Sequence, residues 1–137
     1  METRKVKLKL DLDELPGGFV YPASFLEFVD VYPRAEEQFE PWGLTSDAKL
    51  NQPYSEMFGK PLVKFAQAWH EDMIACFVVD DLPEPSVIVI NPWAQRVIEG
   101  KAEQYCMLLR QFPNFTTWFD WMRDSELVRD RAEDRAA

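Results

Sequence analysis

The residues of this chain that are best suited to chemistry lie in two polar stretches, His70–Asp72 and Asp80–Glu84. His70 is the only histidine among the 137 residues. A catalytic histidine needs a serine or cysteine nucleophile beside it, and both cysteines, Cys76 and Cys106, lie in apolar runs where a thiol is usually inert. A zinc site needs three or four ligands, and no second cluster stands at a recognised spacing from His70. We therefore interpret His70 as a surface or interface residue and predict no catalytic residue.

The second polar stretch carries three carboxylates, on Asp80, Asp81 and Glu84. Carboxylates could bind a hard cation, which prefers oxygen ligands. The stretch lacks the glycine and the alternating ligands of an EF-hand loop, and the chain has no glycine-rich phosphate-binding motif. We interpret the stretch as a solvated turn or a protein-contact patch, and we predict neither a metal nor any other cofactor.

The charge of the chain is strongly acidic and unevenly distributed. Its net charge is −9, from 24 acidic and 15 basic residues. The first ten residues contribute +3, which leaves −12 on the remainder. Such a field repels nucleic acid and anionic membranes and speeds encounter with a basic protein. Acidic surfaces also keep proteins in solution, and we give this explanation of the negative charge more weight than a specific basic partner.

Two apolar runs, Met73–Val79 and Val87–Ile90, are the elements that must position both polar stretches. Short runs rich in Val, Ile and Phe and bounded by turn residues are typical of buried strands, so they predict a central hairpin. Further strands are predicted at Pro41–Leu44, with Trp42 as a core anchor, and at Leu62–Trp69. Strict alternation over Lys5–Asp13 predicts a half-exposed edge strand.

Helical spacing of aromatic residues predicts one helix near each end of the chain. The first is expected over Ala23–Tyr32 after Pro22, and the last from Phe115 to about Arg131 with Asn114 as its cap. Residues 45–60 are predicted as a loop with one short helix over Ser46–Leu50. Residues 93–100 are predicted as a loop or short turn, and residues 102–111 as either a short helix or a strand.

These elements predict a single α+β domain over residues 1–137, with a central, mainly antiparallel sheet flanked by helices. The N-terminus has no uninterrupted apolar stretch of the kind found in secretory signals. No run approaches the roughly 18 apolar residues of a membrane span. We therefore expect a cytoplasmic protein with reduced cysteines.

Four segments in the same order resemble motifs of the SUKH superfamily. They are LPGGFVYPASFLEFV from residue 15, PWGL from residue 41, LVKFAQAWHEDMIACFVVDD from residue 62 and FPNFTTWFDWM from residue 112. The resemblance covers Leu15 to Met122. It implies an α+β domain used as a binding module, without a shared catalytic constellation. Bacterial members are largely immunity proteins that neutralise polymorphic or contact-dependent toxins, many of them nucleases, and fungal relatives regulate cell-wall synthesis.

The resulting hypothesis is a non-catalytic, protein-binding immunity protein that docks on a basic toxin such as a nuclease, without nucleic-acid or membrane partners. The predicted contact residues are the polar ends of the central hairpin: His70, Glu71, Asp72, Asp80, Asp81 and Glu84. One alternative is a regulatory adaptor of the cell-wall-regulator type. The other is a small metal-dependent hydrolase that uses Glu71, Asp72 or Asp80.

Overall fold

Five antiparallel strands form one sheet in which each strand pairs with its neighbours in sequence. The computed structural model describes residues 8–17, 19–35, 39, 42–46, 48–68, 72–79 and 84–124. The strands are β1 (Trp42–Leu44), β2 (Leu62–Ala68), β3 (Met73–Val78), β4 (Val87–Ile98) and β5 (Lys101–Phe112). The central hairpin predicted from the two apolar runs is confirmed as β3 and β4.

Among the described residues, three α-helices cover the two faces of this sheet: α1 (Ala23–Val31), α2 (Ala48–Phe58) and α3 (Phe115–Arg123). Core residues of α1 and α3 pack on one face, and Tyr54 and Phe58 of α2 pack on the other. The predicted α+β class is therefore confirmed. In the part of the chain that the structure describes, no helix combines the length and the apolar character needed to cross a membrane.

An aromatic cluster joins α1 and α3 to the sheet. Phe65 of β2 and Phe77 of β3 stack with ring centroids 4.4 Å apart. Phe25 of α1 meets Phe77 edge-on at 5.3 Å, and Trp118 of α3 meets Phe65 edge-on at 4.9 Å. Such pairs contribute about 0.5–1.5 kcal/mol each beyond the burial of their area. The aromatic residues that suggested terminal helices thus form the main core.

A bulge in β2 places Gln67 on the same face of the sheet as the buried Lys64. The register shifts between Lys64 and Ala66, so Phe65 and Ala66 both reach the aromatic core. Lys64 is only 3% exposed, and its Nζ donates a hydrogen bond to Oε1 of Gln67 at 3.0 Å. An ammonium group that leaves water needs such partners to offset its desolvation.

The sequence predictions for α1, β1, β2 and the start of α3 are confirmed. Trp42 is 1% exposed, as expected of a core anchor. The side chain of Asn114 accepts a hydrogen bond from the backbone N–H of Thr117 at 2.9 Å and so caps α3. The predicted continuation of this helix to Arg131 lies outside the described residues beyond Asp124.

The prediction for 45–60 is partly right: α2 begins at Ala48, inside the short helix predicted over Ser46–Leu50, but it continues to Phe58 through residues predicted as loop. Pro53 lies inside this helix and lacks a backbone N–H to donate. For this reason the sequence did not predict that the helix continues through Pro53. Tertiary contacts offset that loss. Tyr54 is buried in the second core, and Asn51 and Ser55 bind the edge of β2.

The predicted edge strand over Lys5–Asp13 is wrong for its described part, residues 8–13. A 3₁₀ turn forms at Leu12–Glu14 instead. The backbone N–H of Leu10 donates to the hydroxyl of Tyr21 at 2.9 Å, and that of Asp11 donates to the carboxylate of Glu14 at 3.0 Å. Side chains thus take the donors that a neighbouring strand would have used.

The predicted loop or short turn over 93–100 is wrong as far as Ile98, because β4 continues to that residue. The pairing of β4 with β5 shifts register between Val89 and Ile90 and again between Asn91 and Ala94, and the second shift absorbs Pro92 and Trp93. Glu99 and Gly100 form the turn with φ of 53° and 78°. Positive φ at both turn residues is typical of a two-residue type I′ hairpin, so residues 101–112 return as the strand β5.

Candidate functional site

The structure does not bring the described members of the predicted contact set together. Asp72 is exposed in the turn before β3, and Glu84 is exposed in the connection that follows β3. The two acids therefore lie at opposite ends of a strand about 20 Å long. His70, Glu71, Asp80 and Asp81 lie outside the described residues, and the contact set as a whole stays a prediction.

A cleft of about 600 Å³ opens where β1 stops short of the first half of β2. The three residues of β1 pair with Ala66, Gln67 and Ala68, and the backbone N–H of Thr45 donates to the carbonyl of Phe65 at 3.0 Å, so in the described structure the first residues of β2 extend beyond β1. Three segments surround the cleft, namely residues 14–16, the inner side of α2, and residues 59–62. Its lining residues are Glu14, Leu15, Pro16, Asn51, Gln52, Ser55, Glu56, Gly59, Lys60, Pro61 and Leu62.

Two side chains of α2 replace the missing strand beside β2. Oδ1 of Asn51 accepts a hydrogen bond from the backbone N–H of Lys64 at 2.9 Å. Oγ of Ser55 accepts one from the backbone N–H of Leu62 at 2.8 Å. Asn51 and Ser55 are four residues apart and so lie on the same face of the helix. Helix α2 therefore forms a wall of the cleft because it caps the open edge of β2.

The amide of Asn51 keeps one donor group without an acceptor at this wall. Asn51 is 7% exposed, and its Nδ2 has no hydrogen-bond partner among the described residues. A buried donor without an acceptor costs about 1–3 kcal/mol.

Carboxylates converge beside the cleft, and we name Asp11, Asp13, Glu14 and Glu56 the acidic corner. Carboxylate oxygens of Asp11, Asp13 and Glu14 lie within 4.8 Å of one another, and Glu14 and Glu56 line the cleft. Lys60 is the basic residue of the lining. Closely spaced carboxylates create a local negative potential that favours a cation.

Tertiary contacts hold the corner in place against the body of the domain. The hydroxyl of Tyr21 accepts the bond from Leu10 described above, and Oγ of Ser46 donates to the backbone carbonyl of Leu8 at 3.1 Å. Burial raises the pKa of the Tyr21 phenol, and the nearby carboxylate of Glu14 adds to the rise. The corner therefore adjoins a neutral hydroxyl that anchors its backbone.

Sequence reasoning missed the acidic corner because it placed Asp11 and Asp13 on the outer face of a strand. The available signal was the run Asp-Leu-Asp-Glu ahead of a Pro-Gly-Gly turn. Such runs often mark a change of direction rather than an edge strand. No sequence signal indicated that Glu56 belongs to the acidic corner, since its segment was predicted as loop.

The two cysteines are free thiols on the α2 side of the sheet. Burial raises the pKa of both the Cys76 and the Cys106 thiols. A thiol whose pKa is raised carries little of the nucleophilic thiolate form near neutral pH.

Comparison of the chain with protein-family models, with curated proteins and with solved structures found no match.

Proposed function

We propose that this chain is a protein-binding module of the toxin-immunity type that docks on a basic protein through the acidic corner and its cleft. The observation that carries this proposal is the convergence of Asp11, Asp13, Glu14 and Glu56 around a cleft that could admit a side chain. The resemblance of four sequence segments to the SUKH superfamily supports a toxin, such as a nuclease, as that partner.

Charge provides the first contribution to docking. A nuclease needs a basic surface for its own substrate, and the body of this chain carries the −12 that would attract it. The acidic corner concentrates part of that charge within one small area. At physiological salt the attraction acts over about 8 Å, so steering speeds the encounter and close contacts determine the lifetime of the complex.

The cleft provides the second contribution, because it could receive one lysine or arginine side chain of the partner. The charged group would meet Glu14 and Glu56, and the apolar stem would contact Leu15 and Pro61 along the lining. The proposed mechanism of neutralisation is steric, since the docked domain covers the toxin surface that binds substrate.

Growth rescue tests the proposal. The products of the genes that flank the coding sequence of this chain are each co-expressed with it, and, for a product that is toxic, the affinity of the purified pair is measured at low and high salt. We expect rescue, and a dissociation constant that rises steeply with salt. Binding unchanged between about 50 mM and 500 mM salt would overturn the electrostatic part of the proposal.

Charge-neutralising variants locate the contact surface. Asp13→Asn with Glu56→Gln removes two charges of the acidic corner, and we expect affinity to fall about tenfold or more. The matched control is Glu27→Gln with Asp30→Asn, which removes two exposed charges from α1, a helix that contributes no residue to the lining of the cleft. Equal losses for both pairs would show a net-charge effect and would contradict docking at the corner.

The alternatives predict different results in the same experiment. Binding of a basic protein without rescue of growth would favour a regulatory adaptor. Hydrolysis that depends on added metal and is lost in Asp72→Asn would favour the hydrolase.

A further inference from the structure

The outer edge of β5 is a second surface of the molecule, with a chemistry unlike that of the acidic corner. β5 has 12 residues, lies last in the sheet and, in the described structure, pairs only with β4. Its free edge is about 40 Å long. The opposite edge of the sheet, β1, has only three residues. Long open edges offer unpaired backbone donors and acceptors to another strand.

The β4–β5 hairpin also carries most of the exposed apolar side chains. Across the described residues, eight large hydrophobic side chains are exposed, and five of them belong to this hairpin. Leu108 and Leu109, adjacent on β5, are 48% and 40% exposed. An apolar concentration of this kind is typical of an interaction surface. The five residues are Trp93, Val97, Ile98, Leu108 and Leu109.

The charge of the hairpin indicates which partner suits it. Residues 87–112 contain three basic and two acidic residues, a net charge of +1, which leaves −10 on the other residues. A basic partner would gain nothing at this surface. Two copies of the chain repel each other through their acidic parts but not through their hairpins.

Strand β5 is also complementary to itself. Glu103 and Arg110 are seven residues apart, and a register shift opposite Val89 and Ile90 leaves Leu109 as an extra residue in β5. The shift reverses the alternation once, so Glu103 and Arg110 lie on the same face of the strand, near its opposite ends. In an antiparallel pair of β5 strands related by a two-fold axis near Cys106 and Met107, Glu103 of each copy lies near Arg110 of the other. Opposite charges across neighbouring strands stabilise their pairing, whereas like charges oppose it.

We infer that β5 pairs with β5 of a second copy of this chain, so that two five-stranded sheets join into one. The two-fold axis makes the contact isologous, with leucines and opposite charges repeated on both sides. The contact between the two copies consists of one strand from each copy and the side chains along it. It buries less than the roughly 1,200 Å² of a standard interface, so the dimer is weak. This inference does not depend on the proposed function.

Sedimentation velocity from about 5 μM to about 500 μM tests the inference. We expect the sedimentation coefficient of the full chain to rise with concentration from that of a monomer to that of a dimer. Leu108→Lys combined with Leu109→Lys should keep the chain monomeric over the whole range, because it places four charges at the contact. The control Val20→Lys combined with Val31→Lys alters two exposed aliphatic residues elsewhere and should still dimerise.

Charge reversal distinguishes pairing with a second copy from other uses of the edge. Glu103→Lys alone and Arg110→Glu alone should each weaken the dimer, and the double variant should dimerise more strongly than either. Unfolding curves check that every variant is folded. A wild-type chain that stays monomeric at about 500 μM overturns the inference. A dimer that persists when both leucines are substituted also overturns the inference. The inference is likewise overturned if the leucine variant loses toxin binding while the wild type forms no dimer.

Discussion

Oδ1 of Asn51 accepts a hydrogen bond from the backbone N–H of Lys64 at 2.9 Å. A side chain of α2 thus provides the acceptor that a neighbouring strand would otherwise provide. Because β1 has three residues, the first half of β2 would otherwise expose its donors. The same contact positions α2 beside residues 14–16 and so creates the cleft of the proposed binding site. Stability and the shape of the site are therefore linked at this residue.

Asn51→Ala should destabilise the domain by about 1–3 kcal/mol, because it leaves the buried N–H of Lys64 without an acceptor. Urea unfolding followed by tryptophan fluorescence measures the change. Gln52→Ala is the matched control on the same helix, since Gln52 is exposed and bonds only Glu56 among the described residues. We expect the control to stay within about 0.5 kcal/mol of the wild type. Equal stabilities for the two variants would disprove the structural role of Asn51.

Phe77→Leu should reduce the free energy of unfolding by about 1–2 kcal/mol. The change keeps an apolar residue of similar size but removes the stacking with Phe65 and the edge contact with Phe25. Val97→Ala, at a position that is 74% exposed, should change it by less than about 0.5 kcal/mol. Chemical denaturation of both variants gives the comparison. A larger loss for Val97→Ala would mean that the aromatic cluster is not the main core.

Glu99→Asn should stabilise the hairpin by roughly 0.5 kcal/mol and raise the melting temperature by about 2 °C. Glu99 has a φ of 53°, which asparagine adopts at lower cost, and Asn-Gly is a favoured type I′ turn. Glu99→Val should have the opposite effect, because a β-branched residue is strained at positive φ. Thermal unfolding monitored by circular dichroism would contradict the assigned turn if Glu99→Val were the more stable variant.

Stability should fall as the pH rises above about 9, in part because of Cys76. Burial raises the pKa of this thiol above its ordinary value of 9.0, so the folded state holds the proton more tightly than the unfolded state. The resulting stabilisation is fully present below pH 9 and is lost as the pH rises toward the folded pKa. Each such group contributes a slope of about 1.4 kcal/mol per pH unit.

Cys76→Ala should therefore flatten the decline in unfolding free energy between pH 9 and pH 10.5, even though it lowers stability at every pH. Cys106→Ala serves as the comparison, because its thiol is only partly buried and should alter the slope less. Tyr21, whose pKa is also raised, adds to the decline above pH 10 in every variant. Parallel pH profiles for wild type and Cys76→Ala would refute the contribution of the buried thiol.

Local sequence patterns correctly predicted the helices and strands in which buried residues recur at a regular spacing. The apolar runs over Met73–Val79 and Val87–Ile90 correctly predicted β3 and the start of β4. The aromatic spacing predicted α1 and the beginning of α3, and Asn114 marked the cap of α3. These signals are local because one helix face or one buried strand determines them.

Predictions from the sequence were wrong where contacts between residues far apart in the chain outweigh local conformational preference. Pro53 disfavoured α2, which forms because Asn51 and Ser55 bind the open edge of β2 and Tyr54 is buried. Pro92 suggested that β4 ends, but a register shift absorbs it and the ladder with β5 continues. Alternation suggested a strand over Lys5–Asp13, but Tyr21 and Glu14 take its backbone donors.

The sequence by itself determined the α+β class, the acidic charge and the central hairpin, because composition and short-range periodicity encode them. Only the tertiary structure decided where that charge converges. Glu56 joins Asp11, Asp13 and Glu14 because α2 docks beside the 3₁₀ turn, and no local pattern contains that contact. The tertiary structure also left the edge of β5 open among the described residues, since strand order is a property of the whole sheet.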